Sequence, residues 1–453
     1  MTAPLTLFLP CAAGVEDFLA DEVHGLTGLA GHDLLSQRGG VRVRGGWAEV
    51  MRLNLWSRLA QRVLIELAHA PCPDEQALYA LAFAVPWEQW FTPRHTFRVD
   101  ITAQGSPLRS LNFAALRVKD AVADRFRQRA GGVRPSVDTA CPQVRVHAHL
   151  TAQHATLYID TSGEPLFKRG WRQDKGDAPL KETLAAAMLA ACGWWLPVER
   201  RTRALPLYDP CCGSGTIVIE AAQLACGLPP GGQRRFAFEH LAPFDPAAWN
   251  ALKKEANSLT TTSPNTEKSH EPLAPPVRVF GSDVAHRMVD FAQRNAERAG
   301  VAHALQLRGG DALQRQPPTA TPGIILMNPP YGERIAVAGT AAARGKGPGG
   351  GRERFHASAT LHAPAHARAP GADGMRGDAQ GDDFFRQLSQ HWKSHYAGWQ
   401  AWLLTPDRAL PGRLRLKESR RVPLWNGPIE CRLLRFDLTA RTAPPPPAPH
   451  EPA

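Results

Sequence analysis

The sequence contains no run of about 18 apolar residues, the length that a membrane-spanning helix requires. Its first residues include an apolar patch without a basic segment, and acidic residues follow at once, which argues against a signal peptide. The eight cysteines are scattered without the Cys-x-x-Cys or Cys/His spacing of a metal site. These absences predict a cytoplasmic protein with reduced thiols, no membrane segment and no bound metal.

A glycine turn follows a short apolar run within residues 207–222. The run ends at Asp209, the turn contains Gly213 and Gly215, and a helical pattern begins directly afterwards. This order is typical of the first strand, loop and helix of a doubly wound α/β sheet, where a ligand binds at the carboxyl end of the strand. Val218 occupies the place of the third Gly or Ala of a dinucleotide fingerprint, and no lysine follows as in a P-loop. An acidic residue at the strand end instead suits a ligand with an ammonium group, such as S-adenosylmethionine.

Three acidic residues end successive predicted strands: Asp209, Asp283 and Asp311. Because the ends of parallel strands lie along one edge of a sheet, these carboxylates are expected to line a single crevice. In an adenosine-like ligand, Asp283 would accept hydrogen bonds from ribose hydroxyls and Asp311 from the exocyclic amine of adenine. The alternative for any one of them is an ordinary helix N-cap.

The fourth strand of this region ends in the turn Asn328-Pro329-Pro330-Tyr331. Two prolines remove two backbone donors and fix a rigid bend, so that carbonyl oxygens and the Asn amide can face the crevice. These acceptors would hold a planar exocyclic NH2 group, and the tyrosine offers a face on which an extruded base stacks. The alternative is a rigid turn with no chemical role.

Basic residues are concentrated in the middle of the first half of the chain. The formal net charge is +11, which favours an anionic partner and nucleic acid first. Between residues 91 and 172 there are 13 Lys and Arg residues against 6 Asp and Glu residues. An ordinary solvated face is the alternative to a surface that contacts phosphates. The candidate RNA contacts are Lys119, Arg134, Lys168 and Arg169.

The 453 residues are enough for two or three domains. Residues 1–60 have the pattern of a small α+β unit, and apolar residues at helical spacing predict one helix over residues 47–67. Residues 422–436 predict a terminal hairpin around Asn426-Gly427. Residues 257–276 and 334–380 are polar or glycine-rich and predict flexible insertions, and residues 441–453 predict a disordered tail.

The motifs DPCCGSGT and NPPYGER together resemble class I S-adenosylmethionine-dependent N-methyltransferases that act on exocyclic amines. The stretches LNLWSRLAQRVL, YIDTSGEPLFKRGWR, APLKETLAAA and WNGPIECRLLRFDL are similar to the THUMP-containing, RlmL-type large-subunit ribosomal RNA guanine-N2 methyltransferases. This resemblance implies a ferredoxin-like unit at residues 1–60, a THUMP RNA-binding domain at 61–168 and a Rossmann-like methyltransferase domain at 169–440.

By matching position, the resemblance implies a residue set for each part of the site. The cofactor S-adenosylmethionine would contact Asp209, Gly213, Gly215, Asp283 and Asp311, and the guanine would be held by Asn328, Pro329, Pro330 and Tyr331. The implied reaction is methylation of guanine N2 in RNA, with 23S ribosomal RNA preferred. The alternatives are a tRNA guanine-N2 or adenine-N6 methyltransferase and, in another class, a non-catalytic RNA-binding assembly factor. Val218 disfavours a nicotinamide oxidoreductase.

Overall fold

The structure is a computed structural model that describes residues 4–176, 179–194, 205–260, 279–329 and 378–439. Its N-terminal part is built on one eight-stranded sheet with the order β2-β3-β1-β4-β8-β7-β5-β6. The strands of this sheet are β1 Leu5–Pro10, β2 Leu34–Gln37, β3 Gly40–Gly45, β4 Leu64–Pro71, β5 Thr96–Ala103, β6 Ser136–Val137, β7 Val144–Leu150 and β8 His154–Asp160. The helices of this part are α1 Glu16–Thr27, α2 Trp47–Trp56, α3 Glu75–Ala84 and α4 Leu111–Arg129.

Strand β4 connects strands β1–β3 to strands β5–β8 in this one sheet, because Ile65 lies opposite Leu7 of β1 and Ile159 of β8. The prediction of a single helix over residues 47–67 is therefore wrong, since α2 ends at Trp56 and β4 begins at Leu64.

The Glu22 carboxylate of α1 gives the physical reason for this early helix end. It accepts hydrogen bonds from the Ser57 hydroxyl at 2.7 Å and from the Arg58 and Leu59 N–H groups at 2.7 and 3.3 Å. A continuing helix would need both N–H groups for its own carbonyls. The helix therefore ends at Trp56, and the chain continues into β4.

The second sheet has the order β11-β10-β9-β12-β13-β15-β14. Its strands are β9 Leu207–Asp209, β10 Val279–Asp283, β11 Leu305–Gly309, β12 Ile324–Met327, β13 Gln400–Thr405, β14 Arg420–Asn426 and β15 Ile429–Asp437. Strands β9 to β13 pair in parallel, while β14 and β15 form the predicted terminal hairpin. The strands that follow β9 in the chain lie on both sides of it, with β10 and β11 on one side and β12 and β13 on the other. A crevice therefore opens at the carboxyl end of β9. The predicted doubly wound α/β sheet is confirmed.

The helices of the second part are α5 Glu182–Ala191, α6 Thr216–Ala225, α7 Pro246–Thr260, α8 His286–Arg298, α9 Asp378–His395 and α10 Leu410–Leu414. The predicted insertions lie mostly outside the described residues, although α7 continues to Thr260 and α9 begins at Asp378. The predicted tail at 441–453 also lies outside them. Within the described ranges, no helix combines the length and the apolar composition that a bilayer span requires.

A buried charge cluster joins the N-terminal part to α6. Arg58 Nη1 donates to Glu220 Oε2 at 3.0 Å, and Arg169 Nε donates to Glu220 Oε1 at 3.1 Å. Arg169 also donates through Nη2 to the Arg58 carbonyl at 2.8 Å. Removing one partner of such a cluster leaves a buried charge uncompensated, which costs about 3–5 kcal/mol. The cluster therefore holds the two parts in one arrangement.

Candidate active site at the carboxyl edge of the second sheet

The loop between β9 and α6 contains two glycines at positions where a larger side chain would be strained or would clash. Gly213 and Gly215 have φ of +53° and +89°, a region that glycine adopts without a Cβ penalty. A Cβ on Gly215 would lie 3.0 Å from the Ala292 Cβ and from Ile219 Cδ1, so Gly215 lets α6 and α8 pack closely. A Cβ on Gly213 would meet open space, and this side of the loop can approach a ligand.

The carboxylates of Asp209, Asp283 and Asp311 each accept backbone N–H groups at the ends of their strands. Asp209 Oδ1 accepts from Cys211 at 3.0 Å, and Asp311 Oδ1 accepts from Leu313 at 2.9 Å. Asp283 accepts from Ala285 at 2.9 Å through Oδ1 and from Gly213 at 3.0 Å through Oδ2. Asp283 thus connects the end of β10 to the glycine loop and shapes the loop directly.

The three carboxylates lie close together around Cys211. Burial raises the pKa of the Cys211 thiol well above its ordinary value, and the charges of Asp209, Asp283 and Asp311 raise it further. Burial and the nearby Asp283 raise the pKa of Asp209 to about 8, and burial also raises the pKa of Asp283. A cation bound beside these acids would favour their charged forms, so the crevice suits a cationic ligand that also carries hydrogen-bond donors.

Asn328 and Pro329 directly follow β12, which pairs with β9. In this register Ile325 lies opposite Tyr208, so the next residues of both strands continue toward the same edge. The structure therefore brings Asn328 to the crevice that contains Asp209. The remaining two residues of the predicted turn, Pro330 and Tyr331, lie outside the described residues.

Asn295 on α8 supports the glycine loop, and sequence reasoning missed it. Its side chain is fully buried, and Nδ2 donates to the Ser214 carbonyl at 3.0 Å and to the Asp174 carbonyl at 2.8 Å. Its Oδ1 accepts from the Gln173 and Asp174 N–H groups, each at 3.3 Å. The sequence pattern that could have revealed it is an Asn on the same helix face as two buried alanines, Ala292 and Ala296.

Arg172 is a second support that the sequence did not reveal. Its guanidinium donates to Thr216 Oγ1 in the first turn of α6 at 2.8 Å, to Glu182 Oε1 at 2.8 Å and to the Leu180 carbonyl at 2.9 Å. These bonds place the start of α5 beside the start of α6. Both helix N-termini therefore lie next to the glycine loop.

A basic cavity of about 700 Å³ lies in the N-terminal part, against α4 and β5. Five cationic side chains line it, together with two acids, Asp100 and Glu164. The cationic residues are Arg62, Arg98, Lys119, Arg145 and Lys168. Leu116 and Val137 also line it and are about half exposed. The cavity therefore combines positive charge with an apolar rim.

The structure separates the four predicted RNA contacts. Lys119 and Lys168 line the basic cavity, and Arg134 is exposed. Arg169 is only 2% exposed, and its guanidinium is bound to Glu220 and to two carbonyls. Its expected contact with RNA conflicts with this burial, because the charge cannot reach a phosphate. In the part of the chain that the structure describes, no group of three or more His, Cys, Asp or Glu side chains is placed to hold a metal ion.

Three protein-family models match consecutive parts of the chain. They are the RlmL ferredoxin-like domain at residues 6–64, the THUMP domain at 72–160 and the RMKL-like methyltransferase domain at 169–343. The chain therefore carries an RlmL ferredoxin-like domain, a THUMP domain and an RMKL-like methyltransferase domain in this order. The resemblance stated from its motifs is thereby confirmed.

Curated relatives support the same resemblance. The ribosomal RNA large subunit methyltransferases K/L of Shewanella oneidensis and Pseudomonas aeruginosa are 32% and 34% identical over 439 residues, which is 97% and 96% of this chain. The chain spans about half the length of these relatives, 53% in both cases.

Solved structures share the fold across nearly the whole chain. The methyltransferase SMU.472, crystallised with SAH, has a TM-score of 0.76 at 24% identity and covers 98% of this chain and 100% of its own. A Listeria monocytogenes protein, described as a predicted N6-adenine-specific DNA methylase, has a TM-score of 0.74 at 25% identity and covers 96% of both chains.

Replacing Asp209 with Asn tests the electrostatics of the crevice, because the amide oxygen can still accept from the Cys211 N–H group. The pKa of Asp209 is raised from 3.8 to about 8, so the folded state binds this proton more tightly between those values. Wild-type stability should therefore fall, relative to Asp209→Asn, as the pH rises through this window, by up to about 1.4 kcal/mol per pH unit. Urea unfolding of both proteins from pH 4 to pH 9 measures the difference, and parallel pH profiles would contradict it.

Proposed function

We propose that this chain transfers a methyl group from S-adenosylmethionine to the exocyclic N2 amine of a guanine in RNA, with 23S ribosomal RNA as the preferred substrate. The observation that supports the proposal is that Asn328 and Pro329 directly follow β12, the strand next to β9, toward the sheet edge at which the three acids lie. The relatives named ribosomal RNA large subunit methyltransferase K/L support this substrate class. A cytoplasmic location belongs to the same proposal.

The acids of the crevice suit the positive charge of S-adenosylmethionine. Burial raises the pKa values of Asp209 and Asp283, so a cation beside them would favour their charged forms, and Gly213 leaves open space beside the loop. In this assignment Asp283 accepts from the ribose hydroxyls and Asp311 accepts from the adenine amine. When bound, the cofactor supplies an electrophilic methyl group on a sulfonium, so the residues have only to bind and orient the two reactants.

The guanine amine is assigned to the turn that follows β12. The Asn328 amide oxygen and the Pro329 carbonyl would accept its two N–H groups, which leaves the nitrogen lone pair directed at the methyl donor. Orientation of this kind contributes several kcal/mol to a reaction barrier, because the entropy of bringing the reactants together is lost on binding. Pro330 and Tyr331 keep their sequence-based roles in the proposal, as the second rigid residue and the surface on which the extruded base stacks.

The RNA surface is assigned to the basic cavity and its surroundings. Lys119 and Lys168 line the cavity, and Arg134 is exposed, so all three charges can approach phosphates. Arg169 is left out of this surface because it is buried against Glu220.

An adenine-N6 methyltransferase is the second candidate. An Asn-Pro-Pro-Tyr turn also suits an adenine amine, and the similar Listeria protein is described as a predicted N6-adenine-specific DNA methylase. A tRNA guanine-N2 enzyme differs only in the RNA that is bound. A non-catalytic assembly factor would not need acceptors for an amine beside a cofactor crevice.

Replacing Asn328 with Ala should lower methyl transfer by about 100-fold or more, because the amine loses an acceptor that orients it. Affinities for S-adenosylmethionine and for RNA should stay within a few-fold of wild type. The measurement is transfer from labelled S-adenosylmethionine to unmodified rRNA and tRNA pools, followed by nucleoside analysis. Asn250→Ala removes the same side chain from the exposed surface of α7 and serves as the control. Label on N2-methylguanosine supports the proposal, whereas label on N6-methyladenosine selects the second candidate.

Charge reversal at Lys119 and Arg134 should weaken RNA binding and flatten its dependence on salt. Each phosphate contact that is lost lowers the slope of log K against log salt by about one. Fluorescence anisotropy with an rRNA fragment at several salt concentrations measures this slope. Lys254→Glu makes the same charge change on the exposed surface of α7 and should behave as wild type. An unchanged slope in the double variant would remove both residues from the interface.

A further inference from the structure

Arg234 lies in the loop that follows α6, and its guanidinium binds four backbone carbonyls of one short segment. Nη1 donates to the Pro165 carbonyl at 2.8 Å and to the Lys168 carbonyl at 3.1 Å. Nη2 donates to the Ser162 carbonyl at 3.3 Å and also to the Glu164 carbonyl. One side chain thereby fixes the path of residues 162–168.

The same segment lines the basic cavity on its other side. Glu164, Pro165 and Lys168 are cavity residues, whereas the Leu166 side chain is buried. The hydrogen bonds of Arg234 go to backbone carbonyls and leave the side chains of Lys168 and Glu164 to pair with each other beside the cavity. Arg234 of the methyltransferase domain thus binds the backbone of segment 162–168, while Glu164, Pro165 and Lys168 of the same segment line the proposed RNA surface.

The loop that carries Arg234 is itself firmly attached on two sides. Gly231 donates through its N–H group to the Leu55 carbonyl at 2.9 Å, and Gln233 Nε2 donates to the Arg298 carbonyl of α8 at 2.6 Å. A Cβ on Gly231 would lie 2.7 Å from the Asn54 carbonyl oxygen, so the loop packs tightly against the end of α2. These contacts therefore hold the backbone of the loop that carries Arg234 in a fixed position.

The charge of Arg234 persists in this setting. Burial and the nearby Arg169 lower its pKa to about 10, which still leaves the guanidinium protonated at neutral pH. A cation is suited to this position because several carbonyl oxygens point at one place and no carboxylate is needed to satisfy them. A neutral side chain could not donate to all four carbonyls.

We propose that Arg234 is a positioning residue for RNA binding: through backbone carbonyls it holds segment 162–168 in the shape in which the cavity binds RNA phosphates. Arg234 does not itself contact the RNA. The proposal rests on the proposed function, because it assumes that the basic cavity binds RNA.

The test compares Arg234→Met and Arg234→Lys with Arg235→Met, which removes the same charge from the exposed neighbouring residue. Arg234→Met should raise KM for RNA about 10-fold or more, while kcat at saturating RNA and Kd for S-adenosylmethionine stay within two-fold. Arg234→Lys should recover part of the loss, since an ammonium group reaches fewer carbonyls. Arg235→Met should resemble wild type.

An unchanged KM for RNA in Arg234→Met would overturn the proposal. Equal losses in KM, kcat and cofactor affinity would also overturn it, because they indicate general loosening of the fold. If neither Arg234 variant folds, as judged by thermal unfolding, Arg234 is a folding residue and the proposal is rejected.

Lys168→Glu separates this proposal from the one on which it depends. If Lys168→Glu leaves RNA affinity unchanged, the cavity does not bind RNA and the proposed RNA surface fails. If Lys168→Glu weakens RNA binding but Arg234→Met does not, the cavity binds RNA and only the positioning role fails.

Discussion

The parallel pairing of β9 with β10 and β12 is the constraint on which the candidate site depends. It places the end of β9 at Asp209, the end of β10 at Asp283 and the residues after β12, Asn328 and Pro329, along one edge. These three strand ends are far apart in the sequence. The crevice at Asp209 and the turn that begins with Asn328 become neighbours because three strands end together.

The second feature of the site is that its three acids have no cation partner among the described residues, with Asp209 buried and Asp283 and Asp311 half-buried. Asp209 is 2% exposed, and its pKa is raised by burial and by Asp283. Such an arrangement opposes the stability of the fold, because charged groups lose hydration without a partner. Arg58, Arg169 and Glu220, by contrast, show that this chain pairs its buried charges elsewhere. The lack of a cation partner for these acids in the described part of the chain is consistent with the proposed binding of a cationic ligand.

Much of the site could be predicted from the sequence, because its signals are local. The glycine loop, the acids at strand ends and the Asn-Pro turn each follow from a few adjacent residues. The end of α2 could not be predicted, since it depends on Glu22, which lies more than 30 residues away. The burial of Arg169 depends on Glu220, 51 residues away, and a count of basic residues cannot detect such a partner. Arg234 gave no signal at all, because its partners are backbone carbonyls that any residue carries.

Helix α6 lies between the proposed RNA surface in the N-terminal part and the proposed methyl-transfer site at the edge of the second sheet, and its Glu220 binds Arg58 and Arg169. The proposed function requires that the three carboxylates and Asn328 form one site. A crystal structure with S-adenosylhomocysteine tests this claim most directly. We expect the ribose hydroxyls on Asp283, the adenine amine on Asp311 and the sulfur facing Asn328. A nucleoside bound away from Asp283 and Asp311, or a sulfur facing away from Asn328, would contradict it.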